Sequence, residues 1–164
     1  MRFLLDTMCG GLVAYLRMCD YDTVYAGDRE PVLESDDDLL AAAETEGRTL
    51  VTRDTELAGR ADDAILLTAL EVEEQLGELS EAGVELELAA EPSYCGRCNG
   101  VLERVDPSAE TPEYAPDPVE GPADDDGGED EETDSRAVWR CRSCGQYFWR
   151  GSHWDRVAQT LEDY

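Results

Sequence analysis

The chain has 164 residues, enough for one domain and a small accessory module, and a formal net charge of −27. No run of about 18 or more apolar residues occurs, which excludes a transmembrane helix. The first apolar run already ends at Asp6, too early for a signal peptide. We therefore expect no membrane partner and a cytoplasmic location.

We interpret the acidic charge as an adaptation that keeps the protein surface solvated at high salt. Forty acidic side chains stand against 13 basic ones, all of them arginine. This halophilic composition is typical of proteins from salt-loving microbes, because the Debye length falls to about 3 Å in molar salt and surface carboxylates then hardly repel one another. The acidic total therefore says little against a nucleic-acid partner.

Short apolar strands alternate with helices over residues 1–90. The pattern predicts strands at 2–6, 22–26, 48–52, 64–67 and 84–88, and helices at 9–19, 35–47, 54–61 and 71–82. Such alternation predicts an α/β fold with a parallel sheet covered by helices. Functional residues of these sheets gather beyond the carboxyl ends of the strands, where Asp6 and Asp54 are expected to lie.

The remaining residues differ sharply in charge. Residues 106–135 carry 13 acids and no base, and we interpret them as an acidic disordered insertion. Residues 91–105 and 136–164 together carry seven arginines and five acids, and they contain two pairs of cysteines. Clustered arginine is what a phosphate-contacting surface needs, so this cysteine-bearing part is expected to contact a nucleic acid.

Two CxxC pairs, Cys95 with Cys98 and Cys141 with Cys144, predict one structural zinc ion held by four thiolates. A closed four-thiolate site leaves no open position for chemistry. The 42 residues between the pairs exceed the usual zinc-ribbon spacing, but an insertion can loop out at a cost that grows only logarithmically with its length. The alternatives are a redox-active dithiol and another metal.

Aromatic residues alternate with arginine after the second cysteine pair. Such interleaving can stack on bases and pair with phosphates. The alternative is that Trp139, Phe148 and Trp149 fill a small core beside the zinc, and a structural role for His153 is equally open. The residues expected to contact RNA are Arg140, Arg142, Arg150, His153 and Trp154.

Three aspartates, Asp6, Asp36 and Asp54, are predicted to meet above the sheet. Converging carboxylates repel one another unless a cation lies among them, and Mg2+ or Mn2+ is the natural partner. Asp37 and Asp38 are additional candidates, because the acidic triplet leaves the register open. The competing interpretation is that these acids cap helices at the positive end of the helix dipole.

Several segments together resemble the Mut-seven C-terminal ribonuclease domain family, in which a PIN-like domain is fused to a zinc ribbon. They are Phe3–Asp6, Asp36–Leu40 with Glu46–Arg48, Leu50–Asp54, the two CxxC pairs and Tyr147–Trp154. The resemblance implies metal-dependent RNA cleavage by carboxylates, and by position it supports Asp6 and Asp54 best and Asp36 next. A fourth carboxylate has only Asp62 and Asp63 as candidates.

The sequence thus predicts a ribonuclease that depends on Mg2+ or Mn2+ and carries a structural zinc. Its expected domains are a PIN-like domain at 1–90 and a zinc ribbon with a C-terminal helix at 91–105 plus 136–164. The alternative is a non-catalytic zinc-ribbon RNA-binding or adaptor protein, in which the acids only cap helices or face solvent. A ribosomal or protein partner and the oligomeric state are left open.

Overall fold

The computed structural model describes residues 1–116, 118 and 137–164, and it confirms the α/β class. The strands of the first sheet are β1 (Arg2–Leu5), β2 (Asp22–Tyr25), β3 (Thr49–Thr52) and β4 (Ala64–Leu66). The flanking helices are α1 (Val13–Met18), α2 (Asp36–Glu46), α3 (Thr55–Arg60) and α4 (Val72–Glu81). In the part of the chain that is described, no helix has the length and apolar character needed to cross a bilayer.

The helix predicted at 9–19 becomes α-helical only from Val13 onward. Residues Thr7–Leu12 form a 3-10 segment instead. The paired glycines Gly10 and Gly11 account for this difference, because glycine costs about 1 kcal/mol per residue relative to alanine inside an α-helix.

Side chains of the central strands are buried on both faces of the sheet, as a parallel sheet between helices requires. On one face, Phe3 and Leu5 pack with residues of α1 and α4, such as Leu16 and Leu76. On the other face, Leu4 packs with residues of α2 and α3. The near-continuous apolar run of β1 is therefore explained by two separate cores.

The strand order β2-β1-β3-β4 determines where a ligand site is expected in the sheet. All four strands are parallel, and β1 pairs with β2 on one side and β3 on the other. The direction of chain crossover therefore reverses between β1 and β3, and ligands of open α/β sheets bind in the crevice at such a reversal. Asp6 follows β1 and Asp54 follows β3, so both lie at this crevice.

The strand predicted at 84–88 is wrong. Val84 and Leu86 are buried while Glu85 and Glu87 are exposed, so the alternation itself is real. The segment forms no ladder, however. The Val84 N–H bonds to Leu79 O within the preceding turn, and the carbonyl of Glu85 accepts from the Tyr21 hydroxyl. Alternate burial here comes from packing an extended segment on the core, and not from strand pairing.

The cysteine-bearing part forms a second sheet of three antiparallel strands. They are β5 (Leu102–Arg104), β6 (Val138–Cys141) and β7 (Tyr147–Trp149), in that spatial order, and helix α5 (Ser152–Leu161) follows. Val157 and Leu161 of α5 join the core on the α1–α4 face of the first sheet. The last helix therefore contributes to the core of the sheet formed by residues 1–90.

The acidic insertion predicted at 106–135 lies largely outside the described residues. In its described part, the Tyr114 ring contacts the rings of Tyr147 and Trp149, with centroid distances of 6.3 Å in both cases. The Tyr114 hydroxyl also accepts the Tyr147 N–H. Tyr114, inside the predicted insertion, therefore lies against the second sheet.

Arg17 and Asn99 attach the first cysteine pair to the edge strand β2. Arg17 is 2% exposed, and its guanidinium donates to Thr23 O and to Gly96 O, each at 3.0 Å. The side chain of Asn99 accepts the Thr23 N–H at 3.0 Å and donates to Asp22 Oδ1 at 2.7 Å. Because edge strands carry unpaired backbone groups, these contacts satisfy the edge as well as fixing the cysteines.

Arg17→Ala is expected to lower the free energy of unfolding by about 3 kcal/mol, because the carbonyls of the buried Thr23 and the half-buried Gly96 lose a charged donor. Denaturant unfolding at fixed salt measures the change. Arg156→Ala removes the same charge from an exposed position on α5 and should stay within about 0.5 kcal/mol of the parent. An Arg17→Ala protein as stable as the Arg156→Ala protein would contradict the attachment role.

Candidate functional site

The four paired cysteines could hold one zinc ion. Their sulfurs all lie within 4.8 Å of one another. The Cys95 and Cys144 sulfurs are 3.7 Å apart, and those of Cys98 and Cys141 are 3.5 Å apart. A tetrahedral site with Zn–S bonds of about 2.3 Å has sulfurs about 3.8 Å apart, so the thiol set fits zinc.

Backbone N–H groups point at one sulfur of each cysteine pair. The Arg97 N–H points at Cys95 Sγ at 3.4 Å, and the Ser143 and Cys144 N–H groups point at Cys141 Sγ at 3.4 and 3.5 Å. Burial opposes ionisation of Cys141, but these N–H groups outweigh it and lower the pKa of that thiol to about 7. A thiolate is the form that binds metal.

The second cysteine pair lies so close to position 100 that only glycine fits there. A Cβ at this position would lie 2.7 Å from Cys141 Sγ and 2.9 Å from Ser143 Cβ. Any side chain here would therefore push the two pairs apart.

Cys9 and Cys19 belong to the core of the first sheet. Burial, together with the charge of Asp6, raises the pKa of Cys9 to about 12. Burial and the charge of Glu87 likewise raise the pKa of Cys19 to about 12. Both remain neutral thiols, which suits packing and not metal binding.

Asp6 is a buried carboxylate at the crevice between β1 and β3, with 6% exposure. Its Oδ2 accepts from the Thr52 hydroxyl at 2.8 Å and its Oδ1 from the Thr7 hydroxyl at 3.2 Å. The Thr52 hydroxyl in turn accepts the Asp54 N–H at 3.0 Å. Thr52 therefore links the two aspartates predicted from the sequence. Within the described residues, Asp6 forms no ion pair.

Asp54 uses only one oxygen for its structural role. Its Oδ1 caps α3 by accepting from the N–H groups of Glu56 and Leu57, at 2.9 and 3.1 Å. Among the residues described, no donor bonds to Oδ2. The helix-capping interpretation therefore holds for this aspartate, and the second oxygen remains available to a ligand.

Asp36 and Asp37, at the start of α2, face a different part of the molecule. They lie 3.8 and 2.6 Å from the Arg60 guanidinium. Arg60 ends α3, whereas Asp54 caps its start, about 9 Å away along the helix axis. Asp38 is exposed, and the side chain of Ser35 caps α2. Over the described ranges, these acids form no ready-made ligand cluster with Asp6 and Asp54.

The candidates for a fourth carboxylate are wrong. Asp62 and Asp63 come directly before β4, so they lie at the amino edge of the sheet, where its parallel strands begin. Asp63 accepts from the hydroxyl of Thr49, the first residue of β3, at 2.6 Å. This edge is opposite to the one that Asp6 occupies.

Glu78 of α4 is an acid at the carboxyl edge that sequence reasoning missed. Its carboxylate accepts the N–H groups of Thr68 and Ala69, in the loop after β4, at 2.9 and 3.2 Å. Burial opposes its ionisation, but these hydrogen bonds and the charge of Arg53 outweigh it and hold the pKa of Glu78 below its ordinary value. Glu78 therefore orders this loop close to Arg53.

Arg53 carries an unused donor at the same edge. Its Nε is buried and has no hydrogen-bond partner among the described residues. Its charge acts on Cys9 as well as on Glu78, so the guanidinium lies near both residues. A buried guanidinium N–H without an acceptor suits an oxyanion such as phosphate.

The residues expected to contact RNA differ in their surroundings. The guanidinium groups of Arg140 and Arg150 lie 6.0 and 5.6 Å from the ring centroids of Tyr147 and Trp154. Arg142 instead pairs with Glu103 in an exposed ion pair at 3.0 Å. His153 and Trp154 lie on the wall of a cavity of about 360 Å³ together with Phe148 and Trp149, while Trp139 is 3% exposed and serves the core.

A family model described as "Mut7-C RNAse domain" matches residues 1–161, nearly the whole chain. Comparison with curated proteins and with solved structures found no significant match. The family match covers both the sheet with Asp6 and Asp54 and the part with the four clustered cysteines.

The metal-loaded protein is expected to show no thiol that reacts with Ellman's reagent. Cys9 and Cys19 are buried, and zinc would hold the other four. A chelator should expose Cys98 and Cys144, which are open to solvent. Cys98→Ser should reduce the zinc content below one ion per chain, whereas Cys19→Ser should leave it unchanged. Equal zinc content in both variants would exclude the four-cysteine site.

Proposed function

Since the chain belongs to the Mut7-C RNAse domain family, we propose that it is a ribonuclease that depends on Mg2+ or Mn2+, with its active site at the crevice between β1 and β3. Family membership gives the ribonuclease-type role. The geometry of the crevice supports the choice of residues and of metal. In this proposal residues 1–90 form a PIN-like nuclease domain, zinc is structural, and the arginine-bearing ribbon engages RNA.

The observation that carries the proposal is the uncompensated charge of Asp6. Its hydrogen-bond partners are two neutral hydroxyls, although the residue is only 6% exposed. Buried charges in proteins are paired with an opposite charge or coordinate a metal. Mg2+ takes one or two protein carboxylates and keeps several waters, so Asp6 and the available oxygen of Asp54 form a suitable donor set.

Each residue of the crevice has a distinct task in this proposal. Asp6 and Asp54 hold the ion, which when bound would neutralise phosphate charge and activate a water. Thr52 keeps both aspartates in place, since its hydroxyl donates to Asp6 and accepts from Asp54. Arg53 offers its unused Nε–H to an oxygen of the scissile phosphate.

Asp36 is proposed as the third ligand, and its position makes this the weaker assignment. Its side chain is 42% exposed and only 3.8 Å from Arg60, a distance typical of an exposed pair worth less than about 1 kcal/mol. It can therefore leave Arg60 at little cost. Asp37 is bound more closely to Arg60, at 2.6 Å, and Asp38 stays an additional candidate on the first turn of α2.

Asp6→Asn and Asp54→Asn should each slow RNA cleavage by about 100-fold or more, because loss of a metal-holding charge removes several kcal/mol of transition-state stabilisation. The assay uses single-stranded RNA with Mn2+ in molar KCl. Asp62→Asn makes the same chemical change at the opposite edge of the sheet and should stay within about twofold of the parent. Cleavage by the Asp6 and Asp54 variants at the parent rate would refute the site.

The second candidate function is a non-catalytic RNA-binding or adaptor protein. It is favoured by the pairing of Asp36 and Asp37 with Arg60, which leaves the carboxylates without a ready-made cluster in the described residues. A parent protein that binds RNA but cleaves none with Mg2+ or Mn2+ would establish it.

A further inference from the structure

Two concave regions meet at Arg97, in the turn of the first cysteine pair. We name the first the aromatic cavity; its volume is about 360 Å³, and its wall includes Tyr94, Phe148, Trp149, His153 and Trp154. We name the second the arginine cleft; its volume is about 430 Å³, and it contains Arg17, Arg29 and Arg97 beside Tyr25 and Asn99. Both volumes fall in the range of about 300–1,000 Å³ that ligand sites have.

Arg97 is the available cation of the arginine cleft. Arg17 donates to backbone carbonyls and lies 3.9 Å from Asp28, the acid of this cleft, and Arg29 is bound to Glu46 at 2.6 Å. Arg97 is exposed, and in the part of the chain that the structure describes its side chain bonds only to the neutral Gln146, at 3.4 Å. In a chain with 40 acids and 13 arginines, a guanidinium without a carboxylate partner is ready to receive a phosphate in a two-pronged contact.

The aromatic cavity offers ring faces that are already held in place. Trp154 is covered by the Arg150 guanidinium at 5.6 Å, and Trp149 is supported by the tilted ring of Tyr114. Polar groups of Gln146 and His153 lie on the same wall. Ring faces with a few hydrogen-bonding groups beside them are how proteins bind unstacked bases of single-stranded RNA.

We infer that single-stranded RNA binds across the first cysteine pair, with one unstacked base in the aromatic cavity and an adjoining phosphate on Arg97 in the arginine cleft. This inference rests on the proposed function and adds the place where the substrate is held. Charge complementarity favours RNA, because the cysteine-bearing part is where arginines outnumber acids.

The arginine cleft also lies on the route to the proposed active site. Its Val24 and Tyr25 end β2, and Tyr25 pairs in register with Leu5 of β1, the residue before Asp6. The Tyr25 hydroxyl donates to the carbonyl of Thr7, the residue after Asp6. Neighbouring strands are about 4.8 Å apart, so an RNA strand held at Arg97 reaches Asp6 by crossing the end of β2.

The test measures binding of a labelled single-stranded RNA by fluorescence anisotropy, without added divalent metal, over a range of KCl concentrations in which the protein stays folded. Arg97→Ala should weaken binding and reduce the slope of log affinity against log salt by about 0.7, the value for one phosphate of a single strand. Arg156→Ala removes an exposed arginine of α5 outside both concave regions and should leave the slope unchanged. Zinc content and melting temperature verify that each variant is folded.

The base contact has its own readout. Trp154→Ala should weaken binding by about 5- to 150-fold, the range for one stacked base, with an unchanged salt slope. If that variant is poorly folded, the parent protein gives the same information, because an RNA with a run of abasic nucleotides should bind it more weakly than the intact RNA. Equal affinity for both RNAs, or for single strands and duplexes, would overturn the inference.

Binding and cleavage separate this inference from the proposed function. If the parent cleaves RNA but Arg97→Ala keeps the parent affinity and slope, the inference is wrong and the ribonuclease proposal stands. If Asp6→Asn loses cleavage and keeps affinity while Arg97→Ala loses affinity, both are supported. If the parent binds single-stranded RNA through Arg97 but never cleaves, the inference holds and the catalytic proposal fails.

Discussion

The burial of one guanidinium determines how the two parts of this chain fit together. Arg17 reaches from α1 to the turn of the first cysteine pair, where Gly96 accepts its hydrogen bond. Burial lowers the pKa of Arg17, and the charges of Asp28, Cys95 and Cys98 oppose that effect. Four thiolates around Zn2+ carry a net negative charge, so metal binding would compensate the buried cation. Metal retention and attachment to β2 would thereby be coupled.

This attachment places the proposed binding surface beside the proposed catalytic crevice without mixing their chemistry. A closed set of four sulfurs has no open position, whereas Asp6 at the neighbouring strand end is buried with only hydroxyl partners. Strand β2 lies between the cysteine pairs and the crevice at Asp6. In the proposed function, arginine and aromatic rings hold the substrate, and carboxylates that need a different ion cleave the bond.

Local signals predicted much of this structure, and long-range contacts account for what they missed. The CxxC pairs and the strand ends at Asp6 and Asp54 are visible because the spacing of cysteines and the ends of apolar runs are local properties of the chain. Alternation at 84–88 predicted a strand because it indicates alternate burial, whereas hydrogen-bond pairing with another strand leaves no such pattern. Glu78 was missed because no sequence pattern distinguishes it from the other acidic residues, of which the chain has 40 in all. The burial of Arg17 depends on Gly96, 79 positions later, which no sequence window contains.

The return of α5 to the first core has a consequence for synthesis. Val157 and Leu161 share one core cluster with Phe3 and Leu5, so β1 is synthesised before the helix that helps to cover it, which follows both cysteine pairs. Until then one face of the sheet lacks part of its cover. We therefore expect the two parts to mature together after translation of α5, and a chain interrupted before that helix to present its apolar sheet face to chaperones.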